Sequence, residues 1–261
     1  MKRILPLPFQ TERGGLIILL AMIHILGDSL TAGNLGIPYT GFLAPHYAVS
    51  IDGKDGDTLL GALDRFQAHQ EPKDTQILVV EIGANDVLLP HVGSRSSEWA
   101  QAVGAMIDSG SRPTPQPQQF AFFYKQLLNK AQERGYQLVL LTIPPLGENL
   151  ALPPNPQRMV LNHQIRILSQ RPNTVLVDVA LEFEKQLQRR EQASDWLFPH
   201  PQDFILDKRR MRREGGTAKL CQERQLLLTM DGAHLNETGA KIMGNLLSEG
   251  IEKILRITSS H

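Results

Sequence analysis

The apolar run of residues 16–26 leads directly into the stretch Gly27-Asp28-Ser29-Leu30-Thr31-Ala32-Gly33. A continuous apolar run that ends at a glycine is typical of a buried strand in a parallel sheet. The turn that follows delivers Ser29 to the start of a helix, at the carboxyl end of this first strand. Open parallel sheets bind their ligands at that edge, so we expect Ser29 to lie in a functional site.

Strand-like and helix-like segments alternate along the rest of the chain. The pattern predicts further strands at residues 46–51, 76–82, 136–143 and 174–179. It predicts helices at residues 57–69, 120–134, 158–170, 180–192 and 236–255. Such alternation indicates a parallel sheet flanked by helices, and the predicted fold class is therefore α/β.

The length of 261 residues is within the range of one α/β domain. We expect a single domain over residues 15–261, preceded by an extension at residues 1–14. Lys2 and Arg3 before an apolar stretch are typical of a secretory signal, but this stretch runs into the first strand without a small-residue cleavage site. Met22 is an alternative start that still leaves a short first strand.

The overall charge and the cysteine content describe an ordinary globular protein. Lysine and arginine number 27 and are balanced by 27 acidic residues, so nothing global points to a nucleic-acid partner. The single cysteine, Cys221, cannot form an internal disulfide, which fits a reducing compartment. We expect a cytoplasmic protein, with secretion through an uncleaved or atypical signal as the alternative, and we predict no oligomeric state.

Two segments interrupt the alternation of strands and helices, and we expect both to be loop insertions near the carboxyl ends of strands. Residues 90–118 include prolines at positions 113, 115 and 117, a spacing typical of an extended loop. Residues 197–228 include a basic cluster formed by Lys208, Arg209, Arg210, Arg212 and Arg213. We interpret this basic cluster as a solvated surface segment, with weak contact to an anionic membrane surface as the functional alternative.

A histidine and an aspartate near the C-terminus complement Ser29. A serine hydroxyl is a weak nucleophile and needs an adjacent base. A histidine serves as that base when a carboxylate holds its ring in the correct tautomer. Asp231 and His234 are three residues apart in one short segment, so a single turn brings the carboxylate to one ring nitrogen and leaves the other for Ser29. The alternative is a solvated Asp-Gly turn that only caps the last helix.

Three candidate donors accompany this arrangement. Acyl transfer requires preorganised hydrogen-bond donors for the developing oxyanion. Asn85 follows a predicted strand and offers a side-chain amide, while Gly56 and Ser29 offer backbone N–H groups. For Gly56 the alternative is an ordinary turn glycine, and for Asn85 it is a loop residue that caps a helix.

Four sequence blocks resemble the SGNH/GDSL hydrolase family. They are Gly27-Asp28-Ser29-Leu30, Gly53-Lys54-Asp55-Gly56-Asp57-Thr58, Gly83-Ala84-Asn85-Asp86 and Asp231-Gly232-Ala233-His234-Leu235. Four blocks in the family's order are far more specific than any one of them, and the resemblance extends from residue 23 to about residue 250. It implies a three-layer, flavodoxin-like fold with a five-stranded parallel sheet.

The resemblance also implies an activity and its residues. It implies a serine hydrolase that cleaves carboxylic esters, or thioesters, through an acyl-enzyme intermediate. Ser29, Asp231 and His234 would form the catalytic triad, and Ser29, Gly56 and Asn85 the oxyanion hole. The family uses neither a metal nor an organic cofactor, so we expect none here.

Other functions stay open at this point. The loop after the first strand permits a flavin or nucleotide module, although it contains no Gly-x-Gly-x-x-Gly. A metal-dependent phosphoesterase could use Asp28, Asp86, Asp231 and His234, although such sites usually have more histidines. A degenerate hydrolase that only binds its ligand is a third alternative.

The substrate is the least determined property. We expect a small-molecule or lipid ester, since the fold serves esterases, lysophospholipases and carbohydrate deacetylases alike. Four leucines follow strands at the predicted catalytic edge and are candidates for an acyl pocket: Leu88, Leu89, Leu146 and Leu150.

Overall fold

The structure, a computed structural model, describes residues 22–68 and 75–258. Its strands are β1 (Met22–Gly27), β2 (Ala48–Gly53), β3 (Thr75–Glu81), β4 (Gln137–Leu141) and β5 (Thr174–Val177). They form one parallel sheet in the order β2-β1-β3-β4-β5. This is the flavodoxin-like order, and its switch point lies between β1 and β3. The predicted α/β fold with a five-stranded parallel sheet is confirmed.

Helices cover both faces of this sheet. They are α1 (Ser29–Ala32), α2 (Leu59–Ala68), α3 (Ala84–Gly93), α4 (Ser97–Asp108), α5 (Pro117–Glu133), α6 (Pro154–Leu168), α7 (Val179–Gln188), α8 (Asp203–Met211), α9 (Gly216–Arg224) and α10 (Glu237–Thr258), with a short 3-10 helix at Tyr39–Phe42. Side chains of α2, α5 and α6 belong to one buried cluster, and those of α7 and α10 belong to another. The sheet therefore has helices on both sides, as a three-layer fold requires.

Alternating side chains of the central strands divide between the two layers. In β3, Leu78 and Val80 belong to the first cluster, while Ile77 and Val79 belong to the second. Successive side chains of a strand point to opposite faces. All four are fully buried, because helices cover both faces of the sheet. This explains why the strands read as continuous apolar runs in the sequence.

The ends of the predicted elements differ from the observed ones by a few residues. The helix predicted at residues 120–134 begins instead at Pro117, which occupies the first turn, where a proline has no N–H to leave unpaired. The first strand is described from Met22 onward. The proposed extension at residues 1–14, and the part of the predicted strand before Met22, lie outside the described residues.

The two segments that we predicted to be loop insertions are largely helical. Residues 90–118 contain α4, which Ser96 caps by accepting a hydrogen bond from the Trp99 amide at 3.2 Å. Residues 197–228 contain α8 and α9. A buried ion pair between Asp207 of α8 and Arg224 of α9 joins these two helices. Pro113 and Pro115 do lie in a non-helical stretch, residues 109–116, between α4 and α5, whereas α4, α8 and α9 were not predicted.

The basic cluster lies at the end of α8 and just beyond it. Ile205 and Leu206 in the same helix are 61% and 49% exposed. Arg210 forms an ion pair with Glu223. In the described ranges no helix combines the length and the apolarity that a bilayer span requires.

Candidate active site

Ser29 is the first residue of α1, immediately beyond the end of β1. Asp28 caps this helix, because its Oδ1 accepts a hydrogen bond from the Leu30 amide at 3.0 Å. Gly27 makes the sharp turn possible: a Cβ atom there would lie 2.1 Å from Thr31 Oγ1 and 2.8 Å from the Glu81 carbonyl oxygen. The glycine turn thus lets β1 present Ser29 at the carboxyl edge of the sheet.

His234 joins Ser29 to Asp231 in one hydrogen-bonded chain. The distance from His234 Nε2 to Ser29 Oγ is 3.1 Å, and the distance from His234 Nδ1 to Asp231 Oδ2 is 2.7 Å. The other carboxylate oxygen of Asp231 accepts backbone N–H groups of Ala233 and His234 at 3.0 and 2.7 Å. The fold therefore brings together the three residues predicted as a triad, although Ser29 and His234 are 205 positions apart.

The electrostatic environment of His234 favours its protonated form. Burial alone would lower the pKa of the ring, whereas the Asp231 carboxylate raises it through its charge and its hydrogen bond. The charges of Asp28 and Asp55 act in the same direction, so the pKa of His234 is raised above its ordinary value. A carboxylate that stabilises an imidazolium in this way suits a histidine that must accept a proton.

Asn85 and Gly56 lie beside Ser29 and line the same cavity. Asn85 is the second residue of α3, and its side-chain nitrogen donates to the Asp57 carbonyl oxygen at 2.8 Å. An amide nitrogen carries two N–H groups, so this bond orients the side chain and leaves one donor. Gly56 has φ 69, a conformation that a turn glycine adopts without strain.

Asp86 fixes the elements around these donors. This fully buried carboxylate accepts hydrogen bonds from the Leu59 amide at 2.9 Å, the Thr114 amide at 2.8 Å and Thr114 Oγ1 at 2.7 Å. Burial raises the pKa of Asp86 to about 6 even though these bonds lower it. The residue therefore ties the start of α2 and the loop before α5 to α3.

Glu148 supports the other half of the site and was not predicted. Its carboxylate accepts hydrogen bonds from the amides of Leu227, Leu228 and Thr229 at 2.6 to 2.9 Å, and from Thr229 Oγ1 at 2.9 Å. Arg190 pairs with it at 2.8 Å. These bonds hold the segment that leads into Asp231. No local signal marks Glu148, because its partners lie 42 and about 80 positions further along the chain.

A largely apolar cavity of about 300 Å³ opens beside Ser29 and His234. Of the four leucines suggested for an acyl pocket, Leu88, Leu89 and Leu146 line it. Leu150 is the exception, because it packs against the cluster on the opposite side of the sheet. Lys208 of the basic cluster also lines the cavity, so this cluster is partly site wall and not only solvated surface.

The metal-dependent alternative finds no support in the geometry. Across residues 22–68 and 75–258, no three histidine, cysteine, aspartate or glutamate side chains are grouped so that they could hold a metal ion. Two of the four residues named for such a site have their carboxylates bonded to protein groups: Asp86 to α2 and Thr114, and Asp231 to His234.

Comparison with known proteins identifies one family. Residues 25–242 match the GDSL-like lipase/acylhydrolase family. No curated protein matches the chain significantly by sequence.

Solved structures share the fold at low identity. An α/β hydrolase from the metagenome of Lake Arreo, Spain, has a TM-score of 0.58 at 18% identity, with 90% of this chain and 96% of that chain covered. A second structure, an acetyl xylan esterase, has a TM-score of 0.58 at 17% identity, with coverage of 88% and 99%. The acetyl xylan esterase of Geobacillus stearothermophilus has a TM-score of 0.55 at 13% identity, with coverage of 90% and 93%.

Proposed function

The chain belongs to the GDSL-like lipase/acylhydrolase family and is an ester-hydrolysing enzyme, and from this premise we propose that Ser29, His234 and Asp231 cleave carboxylic esters through an acyl-enzyme intermediate. The observation that carries the proposal is the continuous chain of hydrogen bonds from Asp231 Oδ2 through the imidazole ring to Ser29 Oγ. A serine with a base in contact and a carboxylate behind that base is the arrangement that nucleophilic catalysis requires.

This geometry supports the following proposed steps. His234 Nε2 takes the hydroxyl proton as Ser29 Oγ attacks the ester carbonyl, and Asp231 stabilises the imidazolium that forms. The protonated ring then gives its proton to the leaving alcohol, which departs and leaves the acyl group on Ser29. Water, deprotonated by the same nitrogen, attacks the acyl-enzyme, and the acid is released as Ser29 regains its proton.

The oxyanion of each tetrahedral intermediate needs donors on the side opposite to His234. We assign this role to the backbone N–H groups of Ser29 and Gly56 and to the Asn85 amide. All three residues line the cavity, and the bond from Asn85 to Asp57 orients the amide before substrate arrives. Donors held in place by the fold stabilise developing charge without reorganisation.

A detail of the solved structures supports the roles of Asp231 and His234. Two of them are described as catalytic mutants of the Geobacillus stearothermophilus esterase, one changed at an aspartate and the other at a histidine three positions later. Asp231 and His234 have the same spacing.

The pH dependence of turnover tests the proposed mechanism. Only neutral His234 can accept the serine proton, so kcat/KM for a p-nitrophenyl ester should rise with pH. Because the pKa of His234 is raised, the midpoint should lie above about 6.5, the ordinary histidine value. Burial also raises the pKa of Asp28 to about 7, so Asp28 titrates in the same pH range as His234. NMR titration of the His234 ring then shows whether the rise in kcat/KM follows the deprotonation of His234.

Two results would contradict this mechanism. One is a rate that stays constant from about pH 5 to pH 9, since an ordinary or raised histidine pKa falls within that interval. The other is loss of turnover after EDTA treatment with rescue by a divalent metal ion, which would favour the phosphoesterase. Bound flavin absorbance in the purified protein would favour the nucleotide-binding alternative.

A contact between the basic cluster and an anionic lipid surface stays a proposal. The cluster places positive charge beside the exposed Ile205 and Leu206 of α8, a combination that suits an anionic interface. We expect the protein to sediment with anionic vesicles at low salt and less at high salt, since salt screens such attraction.

The control for this experiment is a second variant that loses the same number of positive charges elsewhere on the protein, so both variants have the same net charge. Changing all five residues of the basic cluster to glutamine should abolish sedimentation with the vesicles. A variant with five glutamines elsewhere should retain it: these replace Lys125, Lys130, Arg189, Lys241 and Lys253. Equal, salt-insensitive sedimentation of wild type and both variants would refute the contact.

A further inference from the structure

One face of α3 runs from the oxyanion donor into the cavity. Asn85, Leu88, Leu89 and Val92 all line the cavity and are all at least nine-tenths buried. Their spacing of three, four and seven residues places them on a single helical face. At a rise of about 1.5 Å per residue, this face extends roughly 10 Å from Asn85 to Val92.

Three aromatic rings, those of Trp99, Phe198 and Phe204, form another part of the cavity wall. The ring of Phe198 lies 4.6 Å from that of Phe204 and 6.4 Å from that of Trp99, between ring centroids. Both phenylalanine rings also lie 6.0 Å from the imidazole of His234. The wall therefore begins at the catalytic base and continues to α4 and α8, which contribute Trp99 and Phe204.

The position of Phe198 requires support from the rest of the site. Its φ of 41 lies in the left-handed region, which is unfavourable for a bulky residue. Arg95 donates hydrogen bonds to the carbonyl oxygens of Leu197 and Phe198 at 2.6 and 3.1 Å. Trp99 Nε1 donates to the Pro199 carbonyl at 3.3 Å. The loop between α3 and α4, together with α4 itself, thus holds the aromatic wall in place.

Polar side chains line the cavity around Ser29, and the charged Lys208 of α8 also contributes to its wall. Asn34 and Asp55 are hydrogen-bonded to each other at 3.0 Å, and the Trp99 indole is bonded to backbone. The faces that α3 and α4 contribute beyond Asn85 are apolar. A sugar bound there would lose hydrogen bonds to water without replacement, which is costly, whereas a hydrocarbon chain would gain by burial.

The dimensions of the cavity set the length of that chain. A volume of about 300 Å³ has room for on the order of ten groups the size of a methylene, if each is given the roughly 30 Å³ of a water molecule. A carbon chain with bonds of about 1.5 Å advances roughly 1.25 Å per bond, so about eight bonds span the face of α3. The volume sets an upper limit of about ten carbons, since the ester group occupies part of it, and the length of the α3 face corresponds to about eight bonds.

We infer that this cavity holds the acyl chain of the substrate, and that the enzyme prefers esters of acids with about six to ten carbons over acetate. The inference rests on the proposed function, because the chain must be attached to the carbonyl that Ser29 attacks. It also separates this enzyme in substrate class from the acetyl xylan esterases that share its fold. Val92, at the far end of the α3 face, would limit the chain length.

A series of p-nitrophenyl esters from acetate to dodecanoate tests the inference. Each methylene buried in the transition state can raise kcat/KM by up to about fourfold. We therefore expect an optimum between six and ten carbons and a ratio of octanoate to acetate on the order of 10². Octyl acetate, which places the chain on the alcohol, should be a poor substrate compared with its isomer ethyl octanoate, which also has an alkyl leaving group.

Two opposite changes at Val92 locate the end of the chain. Val92→Phe fills the cavity and should lower the octanoate-to-acetate ratio by on the order of tenfold, with the optimum moving to about four carbons. Val92→Ala enlarges the cavity and should move the optimum to longer chains. Val160→Phe makes the matched change at a 43% exposed valine of α6 and should leave the ratio unchanged. Circular dichroism checks the fold of each variant, and Val92→Ala still decides if Val92→Phe does not fold.

The outcomes separate this inference from the proposed function. An optimum at acetate, a flat profile, a preference for octyl acetate, or an unchanged optimum in folded Val92 variants would overturn the acyl-chain assignment while leaving ester hydrolysis intact. If wild-type enzyme hydrolyses none of the esters, the proposed function fails, and the acyl-chain assignment fails with it.

Discussion

Ser29→Ala should lower kcat/KM for p-nitrophenyl esters by a factor on the order of 10⁴ to 10⁶, the range seen when a catalytic serine is removed. The change removes the proposed nucleophile, Ser29 Oγ, which lies 3.1 Å from His234 Nε2. It leaves the donors of the oxyanion hole, so a small residual rate over water is expected. Folding should be unaffected, because Ser29 is half-buried at the first position of α1 and alanine is compatible with a helix.

The control for this prediction is Ser97→Ala, which makes the same change at the first position of α4 on an exposed residue. Its turnover should equal that of wild type. An organophosphonate that reacts with activated serines should add its mass to wild type and to Ser97→Ala, but not to Ser29→Ala. Turnover close to wild type in folded Ser29→Ala would refute the proposed nucleophile.

Asp231→Asn should cost on the order of 10⁴ in kcat, as is typical when a triad carboxylate becomes an amide. The asparagine oxygen can still accept the backbone N–H groups of Ala233 and His234, so the turn should survive. The amide nitrogen, however, would donate to His234 Nδ1. The ring would then carry its proton on Nε2, facing Ser29, where it could not accept the hydroxyl proton.

A second expectation distinguishes this role from a structural one. Without the Asp231 charge, the pKa of His234 should fall, because burial alone lowers it, and NMR titration of the ring would record that change. Asp108→Asn, at an exposed position, is the matched control and should leave both rate and pKa unchanged. If Asp231→Asn keeps its activity and the His234 pKa is unaltered, the carboxylate has no part in the reaction.

Several features of the fold were predictable because the signals for them are local. Apolar runs that end at glycine or polar residues predict buried parallel strands, and the observed sheet has five of them. The carboxyl ends of such strands meet at one edge, so residues that follow them converge. This is why Ser29 and Asn85, which follow β1 and β3, line one cavity together with His234. Their catalytic roles stay predictions until the variants are measured.

Other features depend on contacts between distant parts of the chain. Helix α8 has a basic composition that indicates solvated surface, yet Asp207 within it is buried against Arg224. Glu148 supports the segment before Asp231 through partners about 80 positions away. Neither contact has a signature in the local sequence, because an ion pair or a buried carboxylate acquires its partner only when the chain folds.

Local patterns along the chain were therefore enough to predict the α/β class, the parallel sheet and the residues that meet at its edge. The side chains that surround the cavity could be identified only from the folded protein. Leu150 was suggested for it but packs on the other side of the sheet, whereas Trp99, Phe198 and Phe204 form its wall without having been predicted. Periodicity reports which face of an element is buried, but a cavity is the space left between several elements, and its shape is set by how those elements pack.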